Sequence, residues 1–259
     1  MKENDGKYTI QSVDRALRIF DFFCSSESTV SLTEICESLS LNSNMAYRLL
    51  MTMRDSGYLV QDQDTNKFRL SLKVLQLTRN ALSTLEIRTR ALPYLERLWQ
   101  EYPKTNINLG LLHNGEVLVI SRIESEHVPR THFTAGKVMP VHSTALGKSL
   151  ICELDESDIR KIVETRGLRP YTENTITDGE ELLRQVRKAR TDQVTWDYSE
   201  NVPNDNCVAA PVRDASRKII AAVSLSAFTA YMTIEELETA AIRVRETARS
   251  ISYAMGFDN

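Results

Sequence analysis

Residues 31–59, SLTEICESLSLNSNMAYRLLMTMRDSGYL, hold the pattern that decides the N-terminal fold. Ser31 followed three residues later by Glu34 is a capping box, in which the serine bonds forward to the backbone and the glutamate bonds back. Leu32, Ile35, Cys36 and Leu39 then recur on one helical face. After the short break LSLNS, Met45, Ala46, Leu49, Leu50 and Met53 form a second apolar stripe. Gly57 follows it, as a helix stop does, because glycine adopts the left-handed conformation past a helix end without strain. Two helices joined by a tight turn predict a helix-turn-helix.

Working outward, SVDRALRIFDFFC at 12–24 places apolar groups at 13, 16, 17, 20, 23 and 24, again with helical spacing. YLVQDQDTNKFRLSL, at 58–72, reads as two short strands around a polar turn. A leading helix and a closing hairpin turn the helix pair into a winged helix-turn-helix. In that motif the second helix of the pair, here about Ser43 to Ser56, enters the DNA major groove. The hairpin around Asp64–Lys67 is the wing. Residues 1–80 carry equal numbers of acidic and basic side chains, so bulk charge adds nothing to this reading.

Residues 71–91, SLKVLQLTRNALSTLEIRTRA, continue as a connecting helix with leucines at 72, 75, 82 and 85. From about residue 92 the texture changes. LPYLERLWQEY reads as a helix, and INLGLLHNGEVLVISRI as a hairpin turning at Asn114-Gly115. THFTAGKVMPV predicts a strand and loop. STALGKSLICEL predicts a helix that Ser143 or Thr144 caps. Two more helices follow, DESDIRKIVETRG and DGEELLRQVRKAR. CVAAPV and KIIAAVSLSAF read as strands joined by RDASR, and a helix closing at Gly256 ends the chain. Strands mixed with blocks of helices predict an α+β fold.

HSTALGKS, at 142–149, ends in the Gly-Lys-Ser of a nucleotide-binding phosphate loop. The first glycine of that motif falls on His142, and Pro140 stands where the preceding buried strand belongs. The phosphate-loop reading therefore fails. As a helix start, the same stretch presents backbone N–H groups around Ala145 and Leu146, where a small carboxylate is favoured.

Composition narrows the function classes. A chain of 259 residues has room for two domains. No apolar run approaches the ~20 residues of a membrane span, and MKENDGKYTI lacks the apolar core of a signal peptide. These features predict a cytoplasmic protein with no membrane partner. The four cysteines form no C-x-x-C and the four histidines no H-E-x-x-H, so neither a metal nor another cofactor is expected. A net charge of −3 argues against a chain held on nucleic acid by charge alone.

Four segments together resemble the IclR-type bacterial transcriptional regulators over essentially the whole length. They are the SVDRALRIFDFF-to-KFRLSLKVLQL region, INLGLLHNGEVLVISRIES, GKVMPVHSTALGKSLI, and CVAAPVRDASRKIIAAVSLSA with ARSISYAMG. The resemblance implies a winged helix-turn-helix domain at 8–71, a linker helix at 72–91, and a C-terminal α/β effector-binding domain of GAF/profilin-like type, which also oligomerises, at 92–259. It implies a regulator, most commonly a repressor, that acts as a dimer or tetramer on a palindromic double-stranded operator. A small organic acid bound in the C-terminal domain sets its DNA affinity.

The implied DNA-reading residues are Ser43, Asn44, Met45, Tyr47 and Arg48, with Lys67 on the wing. The implied effector residues are Met139, Ala145, Leu146, Asp197, Cys207, Ser224 and Ser226. Ser224 and Ser226 are two apart on a strand and share a face, while Val223, Leu225 and Ala227 point to the core. Thr131 joins Met139 at the pocket entrance by the same likeness. Arg122, Arg130 and Lys137 are candidates to pair an acid, although most such side chains are solvated surface charges.

The chain departs from the family at several points. Ser43-Asn44-Met45 replaces the common Lys-Ser-Thr, which removes a lysine and leaves Asn44 to read adenine. Gln193-Val194 replaces Gly-Tyr, DYSE at Asp197–Glu200 replaces an Asp-x-Glu-Glu run, and a glycine is lost around Asn204. Two rival readings stand beside this one. The first is a carboxylate-processing enzyme with Cys207 as nucleophile and His142 as base, which needs an activated thiol. The second is a ligand sensor that has lost specific DNA binding.

Overall fold

The computed structural model describes residues 8–25, 29–77, 86–125 and 136–258. The chain divides into two compact units between residues 84 and 85.

The first unit opens with α1 (Gln11–Ser25), α2 (Leu32–Leu39) and α3 (Ser43–Asp55), followed by the hairpin β1 (Leu59–Gln61) and β2 (Phe68–Leu70). The capping box on α2 is complete: the Glu34 N–H donates to Ser31 Oγ at 3.2 Å, and the Ser31 N–H donates to Glu34 Oε2 at 2.7 Å. Ser40 takes a left-handed φ of 53° to end α2, and Asn42 Oδ1 accepts the Met45 N–H at 2.9 Å to start α3. Gly57, at φ +80°, reverses the chain after α3 and lets the Tyr58 N–H reach the Met53 carbonyl. β1 and β2 pair antiparallel, with Leu59 opposite Leu70, and Val30 adds a bridge to Phe68. In the turn between them, Asp62 Oδ1 accepts the N–H groups of Asp64 and Thr65.

Ile19, Phe23, Val30, Ile35, Leu50, Met53, Leu59 and Phe68 make the core of this unit. The face assigned to α1 from spacing is partly wrong. Ile19 and Phe23 are buried, whereas Val13, Leu17 and Cys24 are exposed. The helix carries two apolar stripes, and spacing alone does not say which one meets the core.

The second unit begins at α4 (Glu86–Glu101), a helix that runs without interruption across the boundary expected at 91/92 and contains Pro93. Residues 78–85 of the expected linker lie outside the described residues. Then come β3 (Asn106–His113), β4 (Glu116–Ile123), β5 (Val138–Met139), α5 (Ala145–Ile151), α6 (Glu156–Arg166), α7 (Gly179–Asp192), β6 (Thr195–Tyr198), β7 (Asp205–Arg213), β8 (Ile219–Phe228) and α8 (Ile234–Ala254). The strands form one antiparallel sheet in the order β5-β4-β3-β8-β7-β6.

Period-two alternation sends each strand's residues to opposite faces. Ile107 and Leu109 of β3 and Val223, Leu225 and Ala227 of β8 pack under α4 and α8. Val117, Val119, Ala209 and Ala222 pack under α5, α6 and α7. The short strand β6 was not foreseen from the sequence, since four residues are too few to show a period. No helix among the described residues is long and apolar enough to cross a membrane.

Candidate functional site

α5 lies across the second sheet face with its whole length buried. Thr144 starts it by accepting the Gly147 N–H at 3.1 Å while donating to the Pro140 carbonyl at 2.7 Å. A Cβ on Gly147 would sit 2.3–2.7 Å from backbone atoms of Val141, so this glycine exists to let helix and loop touch. Lys148 is fully buried and donates to both Glu200 oxygens, at 2.7 and 2.8 Å, and to Gln185 at 2.9 Å. The Gly-Lys-Ser triplet is therefore a packing element, with its lysine already neutralised.

Between the start of α5 and the sheet lies a small cavity of about 30 Å³, partly open to solvent. Met139, Ala145, Leu146, Asp197, Cys207, Ser224 and Ser226 all line it. These seven come from β5, α5, β6, β7 and β8, elements far apart in sequence. Pairing brings the floor residues side by side: Asp197 opposes Cys207, and Cys207 opposes Ser226. In the next row, Arg122 opposes Asn108 and Asn108 opposes Ser224.

The side chains of that second row are chained together. Arg122 Nη1 donates to Asn108 Oδ1 at 2.8 Å, and Asn108 Nδ2 donates to Ser224 Oγ at 3.2 Å. Arg122 Nε pairs with Glu124 at 3.1 Å. Arg122 was expected to be a solvated surface charge. Its side chain is instead 6% exposed and lines the cavity. Lys137 is half-buried and outside the cavity lining. Arg130 and Thr131 lie outside the described residues.

Two carboxyls face the cavity. Asp197 Oδ1 accepts the Glu200 N–H at 2.7 Å, and Asp205 accepts Ser226 Oγ–H at 2.8 and 3.0 Å. Burial, with the Glu200 carboxylate close by, pushes Asp197 up to about 8. Burial pushes Asp205 up to about 6, against the pull of Ser226 and Arg122. Sequence reading passed over Asp205 and Asn108. Both carried a signal: Asp205 stands two before Cys207 on the same strand, and Asn108 interrupts an apolar run. Asn201 and Val202, in the loop after β6, carried none.

The enzyme reading meets direct obstacles. Burial, then the Asp205 and Asp197 charges, raise the Cys207 thiol well above its ordinary range, which disfavours the thiolate a nucleophile needs. His142 does not line the cavity and bonds through Nε2 to the Arg169 carbonyl at 3.1 Å. No group of three or more His, Cys, Asp or Glu among the described residues is placed to hold a metal ion.

On the first unit, Ser43, Asn44, Tyr47 and Arg48 are exposed along α3. Met45 is half-buried, with its sulfur 2.8 Å from Arg15 Nη1 of α1, and Lys67 is half-buried at the base of the hairpin turn. An exposed polar helix following a tight turn, with a hairpin beside it, is the geometry of a DNA-reading head.

A winged helix-turn-helix unit followed by an α/β unit with a polar cavity defines a DNA-binding regulator. The chain belongs to the IclR family of bacterial transcriptional regulators. Residues 79–253 match the family model described as "Bacterial transcriptional regulator IclR C-terminal", and residues 12–63 match "IclR helix-turn-helix domain". The HTH-type transcriptional regulator XynR of Escherichia coli is 30% identical over 248 residues, covering 96% of this chain and 98% of that protein. The HTH-type transcriptional regulator KdgR of the same organism is 29% identical, covering 95% and 94%. An IclR crystal structure from Alicyclobacillus acidocaldarius superposes with a TM-score of 0.80 at 26% identity, covering 96% of this chain and all of that one. An IclR homologue from Microbacterium hydrocarbonoxydans, crystallised with 4-hydroxybenzoate, shares the fold with a TM-score of 0.73 at 23% identity, covering 92% and 99%. These relatives are regulators, and this chain is a DNA-binding transcriptional regulator rather than an enzyme.

Proposed function

We propose that this regulator is a cytoplasmic homodimer or homotetramer that binds a palindromic operator and changes its affinity for it when a small organic acid enters the cavity of the second unit. The observation that carries the reading is the convergence of seven candidate residues from separated segments on one cavity. The 4-hydroxybenzoate found with the Microbacterium homologue is an acid of the size that this reading requires. Asn44 and Arg48 read base edges, Ser43, Tyr47 and Lys67 contact the backbone, and Met45 sets the seat of α3. The acid acts by binding one arrangement of the paired reading heads more tightly than the other, and residues 72–91 carry the change between domains. Repression is the expected sign.

The test is fluorescence anisotropy with DNA from upstream of the chain's own gene, against scrambled competitor at two salt concentrations. Binding that survives the competitor and then changes on adding an acid supports the reading. Equal binding to the scramble, there and on neighbouring promoters, sinks the operator half of it.

A further inference from the structure

A groove of about 410 Å³ lies between the C-terminal half of α8, β7 and the end of α7, and it shares no lining residue with the cavity at α5. Its charged lining is Arg213 of β7 with Arg245, Glu246 and Arg249 of α8. Glu246 is paired with Arg243, which also holds Glu101 at 2.6 Å, so the acid of the lining is already neutralised. Arg245 and Arg249 form no ion pair with any described residue. Two guanidinium charges therefore stand uncompensated on one groove wall. Cations in the last turn of a helix answer its dipole, but α8 carries none there, so the dipole does not account for this pair.

The donors are partly fixed in advance. Arg213 is 14% exposed and pairs with Glu153. Its Nη2 also donates to Gln193 Oε1 at 2.7 Å, and Gln193 is itself held by donating to the Arg190 carbonyl at 2.6 Å. Nε and Nη1 of Arg213 carry no bond among the described residues. Arg249 Nε donates to the Tyr253 hydroxyl at 2.8 Å, which leaves both its Nη groups unbonded among those residues. Arg245 keeps its whole fork, one helical turn from Arg249. Pro211 and Phe257 add apolar lining beside these donors.

The guanidinium fork suits carboxylates and phosphates alike. Charge separates the two guests. A phosphate monoester near neutral pH brings close to two negative charges and three acceptor oxygens, whereas a carboxylate brings one charge. Two uncompensated arginines with a third anchored beside them match the former. We propose that this groove is a second ligand site, which binds a phosphate monoester through Arg245, Arg249 and Arg213 and seats its organic body against Pro211 and Phe257. The regulator thereby has a small-molecule input separate from the cavity at α5.

Isothermal titration of the purified full chain tests this, with phenyl phosphate as the probe and phenyl sulfate, benzoate and phenol as comparisons. At about pH 7.5, phenyl phosphate is expected to bind at least about tenfold more tightly than each of the other three, because losing one charged hydrogen bond is worth about that factor. Its affinity is expected to fall severalfold toward about pH 5, where the monoester loses its second charge. Arg245→Gln and Arg249→Gln are each expected to lose about tenfold by the same factor. Arg245→Lys, which keeps the charge without the fork, falls between. Arg217→Gln, at an exposed position outside the groove, is expected to change nothing. Arg245 and Arg249 are both exposed, and circular dichroism checks that their variants fold.

Phenyl sulfate or benzoate binding as tightly as phenyl phosphate overturns the proposal. So does phenyl phosphate that fails to bind at millimolar concentration, or that binds Arg245→Gln and Arg249→Gln unchanged. A tenfold loss of affinity for scrambled duplex DNA in Arg245→Gln assigns the arginines to nucleic acid instead, and a changed sedimentation coefficient assigns them to a contact between copies. Either result overturns it as well.

Discussion

Lys148 and Glu200, 52 positions apart in the chain, form a buried ion pair with Nζ 2.7 and 2.8 Å from the two carboxylate oxygens. The pair ties α5 to the loop that follows β6, and both segments supply walls of the cavity. Removing one member leaves the other charge buried alone, which costs about 3–5 kcal/mol. Lys148→Met is expected to lower unfolding free energy by that order. The double variant Lys148→Met/Glu200→Leu is expected to recover most of the loss, since two apolar side chains leave no stranded charge. Urea denaturation of the three proteins decides it, and a double variant as unstable as the single one contradicts the account.

Gly147→Ala tests the packing reading of the Gly-Lys-Ser triplet. Helix propensity alone favours alanine by about 1 kcal/mol. The added Cβ, however, would collide with the Val141 backbone, which cannot swing aside as a side chain can. The variant is expected to lose at least about 2–3 kcal/mol. Gly179→Ala, where nothing stands within 4 Å of the new Cβ, is the control and is expected to be neutral or slightly stabilising. Melting temperatures of both variants read the contrast.

Asp197 and Asp205 predict a particular pH dependence. Both carboxyls are raised in the fold, to about 8 and about 6, chiefly by burial. In the unfolded chain such groups release their protons near pH ~4. Between these limits the folded state holds protons that the unfolded state has lost, so stability falls as pH rises from about 4 to about 8. The groups facing Asp197 are Glu200 and Asp205, which reinforce the shift, and Lys148, which opposes it. Asp197→Asn stays neutral throughout and is expected to flatten the decline within that window. Denaturant titrations at about pH 5, 7 and 9 measure the slope, and a wild-type slope in the variant refutes the assignment.

The exposed face of α3 makes a prediction in two parts. Asn44→Ala is expected to relax sequence preference at one base pair by about 1–3 kcal/mol. Lys67→Ala is expected to weaken binding to all sequences and to reduce the salt dependence by about one charge. Competition binding on operator variants at several salt concentrations separates the two. A loss of similar size on specific and scrambled DNA for Asn44→Ala removes that residue from base reading.

The first unit was legible in the sequence because its signals are local. Ser31 and Glu34 are three residues apart and meet within one helical turn. Gly57 declares the end of α3 at the position where the backbone must turn left-handed. Spacing failed at α1, where Val13 and Leu17 keep the same period as the buried Ile19 and Phe23, and burial is decided by what packs against the helix. In the second unit, alternation in KIIAAVSLSAF placed Ser224 and Ser226 together opposite Val223, Leu225 and Ala227, and the packing of the sheet agrees.

The sequence by itself thus determined most of the elements, though not the short strand β6, and the side on which each alternating strand residue falls, since periodicity is a property of a few neighbouring residues. Only the tertiary structure decided what those residues meet. It set Arg122 across from Asn108, put Asp205 beside Ser226, and buried Lys148 against Glu200. Strand order and helix docking bring those groups together over distances along the chain that no local pattern records. Their charge states follow from the same source, because burial exists only once the two faces of the sheet are covered.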